Sequence, residues 1–335
     1  MPSEADALTD EQRHTGEPRE DRRDRFWVRS HDQAPVLRRP AVYLLASATV
    51  AVLGLNWPIM AHGVDLVPPL WLAAFRMGGA AIVVGAVMLP RGAGVPARED
   101  RAILLSVGLV RLSLVTALVF SALAFVPPGR SSILVYTASL WTVPLAVAFL
   151  HERLTRLRVV GLTLGSLGVV LLLEPWTLEW SDTDLLIGLG MLLVAAVANA
   201  STTVHIRAHR WASTPFALMP WQLAIAALPI ATVAAILEGA PEISWTTETV
   251  AVVAYQVLLA SAFGFWGLLT ISRSLPAITT NLILMAVPVV GLVSSIPLAD
   301  EALTVAVAVS LVLILAGVTL GVVSDRRPEV PAPPG

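Results

Sequence analysis

The sequence of 335 residues contains no cysteine and no lysine, and charged residues make up only 14% of the chain. The lack of cysteine excludes disulfides, thiolate nucleophiles and zinc sites of the cysteine type. The lack of lysine excludes a P-loop of the form GxxxxGK(S/T), so this pattern for ATP hydrolysis is missing. A soluble protein of this size needs more charge, because its surface must be solvated. With 56% hydrophobic residues, the composition indicates an integral membrane protein.

The chain has no large net charge of either sign. It also has no recognisable cluster of metal ligands. Its net charge of −2 gives no reason to expect nucleic acid as a partner. His205 and His209 are four residues apart, so they share a helix face on which a metal would fit. No third ligand accompanies them and arginines surround them, so we interpret the pair as a solvated helix end. The sequence predicts no metal site and no cofactor.

The charged residues cluster at the N-terminus and between apolar runs. Residues 1–39 carry many of both signs and no apolar core that a secretory signal peptide would need. We therefore expect a disordered cytoplasmic tail there. Residues 325–335 are rich in proline and predict a second cytoplasmic tail.

Ten apolar runs lie between these tails. A bilayer core of ~30 Å needs ~20 apolar residues in a helix. The predicted spans are 41–61, 67–89, 102–125, 131–150, 159–176, 185–205, 215–237, 249–272, 277–298 and 303–323.

The arginines predict how these spans are oriented. If the N-terminus is cytoplasmic, the segments on the inside carry nineteen arginines and the outside loops carry only Arg130. This bias agrees with the positive-inside rule for all ten spans. We expect a multi-pass protein of the plasma membrane with both termini in the cytoplasm.

A short internal repeat divides the chain into two halves. His151-Glu-Arg-Leu-Thr155 follows the fourth span, and Asp300-Glu-Ala-Leu-Thr304 follows the ninth, 149 residues later. Each half, 40–176 and 184–324, has five spans, and because five is odd the second half enters the membrane from the opposite side. The predicted fold is therefore all-α, with ten transmembrane helices arranged as two inverted five-helix repeats. Such repeats are frequent in secondary transporters, although channels and some membrane enzymes also use them.

The first half contains an ordered set of motifs: Gly54-Leu55-Asn56-Trp57-Pro58, Pro68-Pro69, Leu72-Ala73-Ala74-Phe75-Arg76, the HERLT segment and Gly161, Gly165 and Gly168. Together these motifs resemble an EamA domain. The chain is similar over about residues 40–325 to the drug/metabolite transporter superfamily, whose members have two such domains. It departs from the pattern at Ser139, which aligns with Pro288 at a position where the family has proline. The resemblance implies a carrier for small metabolites or drugs, often an exporter, with a cavity between the halves.

Two arginines, Arg76 and Arg111, are the ionised residues that lie well inside predicted spans. A charge at such a depth costs at least ~2.5 kcal/mol on insertion scales, so it is a candidate functional group. Two guanidinium groups facing one cavity predict an anion site that binds carboxylate or phosphate. For Arg76 the alternative is that it binds backbone carbonyls at a broken helix or reaches a loop. For Arg111 we expect replacement by alanine to abolish transport of an anionic or zwitterionic substrate.

Polar and aromatic residues inside the spans are further candidates for substrate contact. Each one has contact between helices as its alternative role, because amides in lipid need partners. These candidates are Asn56, Trp57, Tyr136, Asn199, Gln222, Tyr255, Gln256, Trp266 and Asn281. Glu152 and Glu301 are candidates for proton coupling, with a helix cap or a loop salt bridge as the alternative.

The function predicted from these features is a secondary transporter, an exporter of a small metabolite, amino acid or drug. It would work by alternating access through a central cavity between the repeats. Its predicted partners are a small-molecule substrate and the lipid bilayer, and a homodimer is left open. An enzyme is not expected, since no mid-membrane catalytic constellation is present. A receptor or scaffold without transport activity is the alternative, but it gives no reason for an inverted duplication.

Overall fold

The computed structural model describes residues 39–91, 95–151, 155–173, 181–275 and 277–324, and these residues form helices and short connections without a strand. We number the helices in chain order. They are α1 Arg39–Leu66, α2 Pro69–Met88, α3 Arg98–Ala122, α4 Pro128–Leu150, α5 Arg156–Leu173, α6 Thr183–Ala208, α7 Pro215–Leu237, α8 Thr247–Ser274, α9 in two pieces, Ala277–Leu284 and Ala286–Leu298, and α10 Val305–Ser324.

In the described residues, nine helices are long and apolar enough to cross a membrane, and Ala286–Leu298 is a shorter apolar helix. This confirms an all-α membrane protein. The predicted ninth span, 277–298, consists of two helical pieces that are separated at Met285. Pro288 explains the interruption, since it has no N–H to donate to the carbonyl of Leu284 four residues earlier.

α4 has a matching interruption at Thr137, between Pro128–Tyr136 and Ala138–Leu150. No proline causes this one, because Ser139 stands where the repeat has Pro288. The hydroxyl of Thr137 donates to the Leu134 carbonyl at 2.5 Å, and such side-chain bonds compete with the helical ladder. Span four is therefore interrupted without the proline that is typical of the family.

Local sequence signals set several helix starts. The side chains of Asp182, Thr214 and Thr246 accept backbone N–H groups in the first turns of α6, α7 and α8. Proline occupies the first turn of α2, α4 and α7, where its missing N–H has no intrahelical partner to lose.

The 149-residue offset of the repeat reappears in the backbone. α3 contains a π-helical segment at Ser106–Leu114, and α8 contains one at Tyr255–Phe263, 149 residues later. In the described residues, the only non-glycine positions with positive φ are His151 (55°) and Asp300 (48°), again 149 apart. The sequence match thus extends to the unusual backbone geometry of both halves.

Packing between helices follows the same duplication. α5 packs on α10, α2 on α7 and α4 on α9, so the second, fourth and fifth helices of one half meet their counterparts in the other. α1 packs on α8 and α9, and correspondingly α6 packs on α3 and α4. Exchanging the two halves therefore leaves these particular pairings unchanged.

Glycines allow the close crossing of α5 and α10. A Cβ on Gly317 would lie 2.5 Å from the carbonyl oxygen of Gly161, and a Cβ on Gly161 would lie 2.6 Å from the carbonyl oxygen of Gly317. Because the obstacles are backbone atoms, no side-chain movement would relieve them. Gly161 and Gly317 therefore serve helix contact within one chain.

Candidate functional site

A cavity of about 800 Å³ is lined by side chains from both halves of the described structure. Every helix except α7 contributes to this lining. Six of the residues singled out from the sequence are among those that line it: Arg76, Arg111, Asn56, Trp57, Tyr136 and Asn199. The structure thus brings residues from α1, α2, α3, α4 and α6 together around one space.

Arg76 is fixed by partners on α8 and by neighbouring side chains. Its Nε–H donates to Ser261 Oγ at 2.9 Å, and its Nη1 donates to Gln256 Oε1 at 3.1 Å. Nη1 also lies 3.6 Å from Met60 Sδ, and the guanidinium carbon lies 5.7 Å from the ring centre of Phe120. All these partners are neutral side chains. Arg76 therefore binds the other half of the protein, and not the backbone carbonyls proposed as its alternative.

Arg111 lies in the π-helical segment of α3 and also lines the cavity. No hydrogen bond or ion pair joins its guanidinium to any residue in the described parts of the chain. Tyr136 lines the same cavity. Short π-helical segments are common at functional sites, because the extra residue redirects the side chains. Arg111 is thus a cavity-lining cation with its hydrogen-bond donors available.

Two amides from corresponding helices face the same cavity. Asn56 of α1 and Asn199 of α6 both line it, and each has a buried Oδ1 that accepts no hydrogen bond. The Nδ2 of Asn56 donates to Met60 Sδ at 3.8 Å. Buried amide oxygens normally find a donor, so these two atoms are candidate acceptors for a bound molecule.

The lining that the structure describes contains four arginines, Arg76, Arg111, Arg158 and Arg207, and no aspartate or glutamate. Arg158 and Arg207 have further contacts of their own. Trp57 and Phe120, which are 6% and 1% exposed, add aromatic surface to the same space. The arrangement is suited to a small organic molecule that carries an oxyanion and an apolar part.

Of the remaining candidates, those whose side chains the structure describes lie outside the lining. The hydroxyl of Tyr255 donates to the carbonyl oxygen of Val52 at 2.7 Å. Gln256 supports Arg76, and Gln222 is buried in α7. Trp266 is 40% exposed and lies 5.9 Å from Phe263, measured between ring centres. The side chain of Asn281 and the whole of Glu152 fall outside the described residues.

Glu301 connects the two halves beside the N-terminus of α4. Its Oε2 accepts the N–H of Gly129 at 2.6 Å, and its Oε1 accepts the N–H of Arg130 at 3.1 Å. The residue is 8% exposed, and this burial raises the pKa of its carboxyl although the two N–H donors and Arg130 act to lower it. Glu301 caps a helix of the other half, as its alternative role required, and it is not part of the cavity lining.

A buried contact between Asp100 and His209 was missed from the sequence. Asp100 Oδ1 lies 2.8 Å from His209 Nε2, and its carboxylate also accepts the N–H groups of Ala212 and Ser213 at 3.1 and 2.7 Å. The side chain of His209 is only 10% exposed and that of Asp100 is fully buried. The interpretation of His209 as part of a solvated helix end is therefore wrong. The sequence does contain a signal for this contact. Asp100 stands directly before the third predicted span, and His209 lies in the connection between the sixth and seventh.

Glu238, at the end of α7, makes a similar contact with the other half. Its carboxylate accepts the N–H groups of Leu70 and Trp71 in the first turn of α2, at 2.9 and 3.2 Å. The indole N–H of Trp71 donates to the Gly239 carbonyl at 3.0 Å. Buried or half-buried carboxylates thus join the halves away from the cavity.

The chain is similar in sequence to known transporters. Residues 40–174 match the EamA-like transporter family. The chain is 30% identical over 293 residues to a protein of Salmonella typhimurium named probable amino-acid metabolite efflux pump, a match that covers 84% of this chain and 95% of that protein. A protein of Escherichia coli with the same name is 29% identical over 294 residues, with the same coverage. The uncharacterized transporter YoaV of Bacillus subtilis is 23% identical over 280 residues, covering 83% of this chain and 95% of that protein.

A solved crystal structure is similar in fold, with a TM-score of 0.58 and 22% sequence identity. The match covers 87% of this chain and 100% of that one. With the duplicated helices, the shared cavity and the similarity along most of its length, the chain belongs to the EamA-like transporter family of the drug/metabolite transporter superfamily and is a multi-pass membrane transporter.

Proposed function

We propose that the protein is a secondary transporter that exports a small organic metabolite across the plasma membrane by alternating access. The observation that carries the proposal is one cavity lined by both halves and furnished with Arg76, Arg111, Asn56 and Asn199. Charged and amide side chains at membrane depth are costly, and they are retained where a polar molecule passes. The names of the Salmonella and E. coli relatives as efflux pumps support export.

Alternating access requires two related halves that gate the cavity from opposite sides. The pairings that stay unchanged on exchange of the halves support this arrangement. Since each half contributes five helices, residues 184–324 would run through the membrane in the opposite sense to residues 40–176. Both termini would then lie in the cytoplasm, in agreement with the arginine distribution.

The energy source would be a gradient or an exchange of solutes. The sequence has no lysine for a P-loop, so gradient-driven movement is the simplest mechanism for this chain.

Counterflow by the purified full chain in liposomes tests the function. Liposomes loaded with single compounds from a panel of amino acids, organic acids and amphiphilic drugs are diluted into a trace of the same labelled compound. We expect transient uptake of the label for at least one compound, and none in protein-free liposomes. No uptake with any compound would contradict transport and favour a receptor or scaffold.

The absence of cysteine in the sequence makes the topology directly testable. Thr155→Cys and Leu303→Cys place single thiols on exposed connections, after α4 and after α9. In whole cells, a membrane-impermeant maleimide should label the second variant only, and the first should react after the membrane is opened. Labelling of both from the same side would exclude inverted halves.

A further inference from the structure

The charges of the cavity indicate a substrate class more specific than a small metabolite. We propose that the protein exports organic acids of net negative charge, that Arg111 binds their oxyanion group, and that the membrane potential drives the export. This inference rests on the proposed function, because it assigns the substrate of the same cavity.

Arg111 has guanidinium N–H groups that are available as hydrogen-bond donors to a substrate. It lines the cavity, it is half-buried, and no residue in the described chain forms a hydrogen bond or ion pair with it. A guanidinium removed from water and left unpaired is unfavourable, and a bidentate carboxylate or phosphate satisfies it with two parallel hydrogen bonds. The geometry therefore assigns the oxyanion of the substrate to Arg111.

Arg76 acts differently, because its Nε and Nη1 already donate to Ser261 and Gln256. None of its partners is acidic, so its charge remains uncompensated within the described lining. Arg76 is thus a positioning residue: it holds α2 against α8 and adds a second positive charge to the potential that the substrate meets.

A zwitterion is a poor match for this cavity. An ammonium group would find the neutral oxygens of Asn56 and Asn199, but no carboxylate among the described residues of the lining. It would also be repelled by Arg76 and Arg111, and this repulsion is strong where water is excluded. The expected order of affinity is dianions first, then monoanions, zwitterions and cations.

A negatively charged substrate also removes the need for a coupling ion, because the membrane potential itself acts on its charge. The described lining contains no carboxylate that would carry a proton or bind a cation, and Glu301 is engaged with the backbone of α4. With the cell interior negative, each negative charge that leaves is favoured about 50-fold in concentration per 100 mV, which corresponds to about 2.3 kcal/mol. Export of an anion then needs no other gradient.

Matched compounds test the charge preference. N-acetylphenylalanine, phenylalanine and phenylalanine methyl ester share one skeleton with net charges near −1, 0 and +1. Glutarate, glutamate and glutamine form a second series with charges near −2, −1 and 0. Binding to the purified full chain is measured by competition with the labelled anion of each series. We expect the zwitterion to bind at least 10-fold more weakly than the anion in one series or both. If the anion binds best in neither series, the substrate class is wrong.

Variants of α3 test the role of Arg111. Arg111→Gln should weaken binding of the anion about 10-fold to 100-fold while changing binding of the neutral compound of the series much less. Arg111→Lys keeps the charge but loses the bidentate fork, so it should retain part of the affinity. Arg101→Gln is the matched control, since Arg101 is an exposed arginine on the same helix outside the lining. Equal losses for all compounds in Arg111→Gln would assign it a merely structural role and overturn the assignment.

Efflux under a clamped potential tests the driving force without any variant. Liposomes loaded with the labelled anion receive valinomycin and potassium gradients that set the interior negative, at zero or positive. Efflux should be fastest with the interior negative, whichever way the protein is inserted, and a pH gradient at zero potential should not replace the potential. Equal rates at both signs would overturn potential-driven export.

The outcomes separate this inference from the proposed function. Counterflow of phenylalanine or its ester in preference to the anions would leave a transporter in place and overturn the substrate class. If no compound of any charge moves, both fail together.

Discussion

The two halves of the protein share their backbone but not their charge. Arg76 is seven residues after Pro69 at the start of α2, and Gln222 is seven residues after Pro215 at the start of α7. The partners of Arg76 on α8 are Gln256 and Ser261. The residues 149 positions earlier, on α3, are Val107 and Leu112. The positions that supply polar partners to Arg76 in one half are therefore occupied by apolar residues in the other.

Arg111 extends this contrast, because the residue 149 positions later is Ala260, which is 1% exposed. Both positions lie in π-helical segments of nine residues. The duplication preserved the helix distortion, whereas the guanidinium that lines the cavity occurs in one half only. A substrate would therefore meet a chemically different wall on each side, and it would bind in one orientation.

The largest effect is expected from copying the charge into the second half. Gln222→Arg would place a guanidinium on α7 without polar partners on α3, because Val107 and Leu112 stand at the positions that correspond to Gln256 and Ser261. It should destabilise the protein by at least ~2.5 kcal/mol. We expect loss of most monodisperse protein in size-exclusion chromatography. Adding Val107→Gln and Leu112→Ser, which copy the partners of Arg76, should recover part of the yield. No recovery would mean that these partners are not what makes Arg76 tolerable.

A smaller effect is expected when the partners of Arg76 are removed singly. Ser261→Ala leaves the Nε–H of a half-buried guanidinium without its acceptor, at a cost of about 1–3 kcal/mol. The melting temperature in detergent should fall, and Ser113→Ala, at a buried serine of α3, is the control. If both variants melt alike, the hydrogen bond between Arg76 and Ser261 contributes no specific stability.

The helices of the fold could largely be predicted from the sequence, because lipid imposes long apolar runs. The interruption of α9 was visible in Pro288, but that of α4 was not, since Ser139 carries no such signal. The π-helical segments leave no trace in composition. They differ from an α-helix by an extra residue per turn, which apolar sequence permits anywhere.

The residues of the site were harder to predict, because the sequence does not show which face of each helix lines the cavity. Arg76 and Arg111 stand out by their charge alone, and both line the cavity. Trp266 and Gln256 looked equivalent as polar or aromatic residues of one span, yet Trp266 is 40% exposed and Gln256 is fully buried against Arg76. A helix that is apolar all round gives no periodicity to tell these faces apart, and the π-helical segment rotates them further.

The charged positions differ between the two halves, whereas the crossing of α5 and α10 has a glycine at the contact in both halves. Gly161→Ala and Gly317→Ala each drive a Cβ into backbone of the other helix, and each should cost about 1–3 kcal/mol. Gly190→Ala is the control, since no atom lies within 4 Å of its added Cβ, and alanine is the better helix former by about 1 kcal/mol. Melting temperatures should fall similarly for the first two and not for the third. Unequal losses at Gly161 and Gly317 would show that the crossing is not symmetric.

The smallest expected effect concerns Glu301 and the dependence of stability on pH. Because burial raises the pKa of Glu301 above its ordinary value of 4.5, the folded protein binds a proton here more readily than the unfolded chain. The favourable contribution of the protonated carboxyl is complete below about pH 4.5, and it is lost as the pH rises through the raised pKa. The melting temperature should therefore fall with rising pH more steeply in the native protein than in Glu301→Gln, which has no proton to lose. Glu242→Gln, at an exposed position of a connecting loop, should keep the native slope. If Glu301→Gln keeps the native slope as well, the pKa of the carboxyl is the same in the folded protein and in the unfolded chain, and the backbone N–H groups of Gly129 and Arg130 balance the effect of burial.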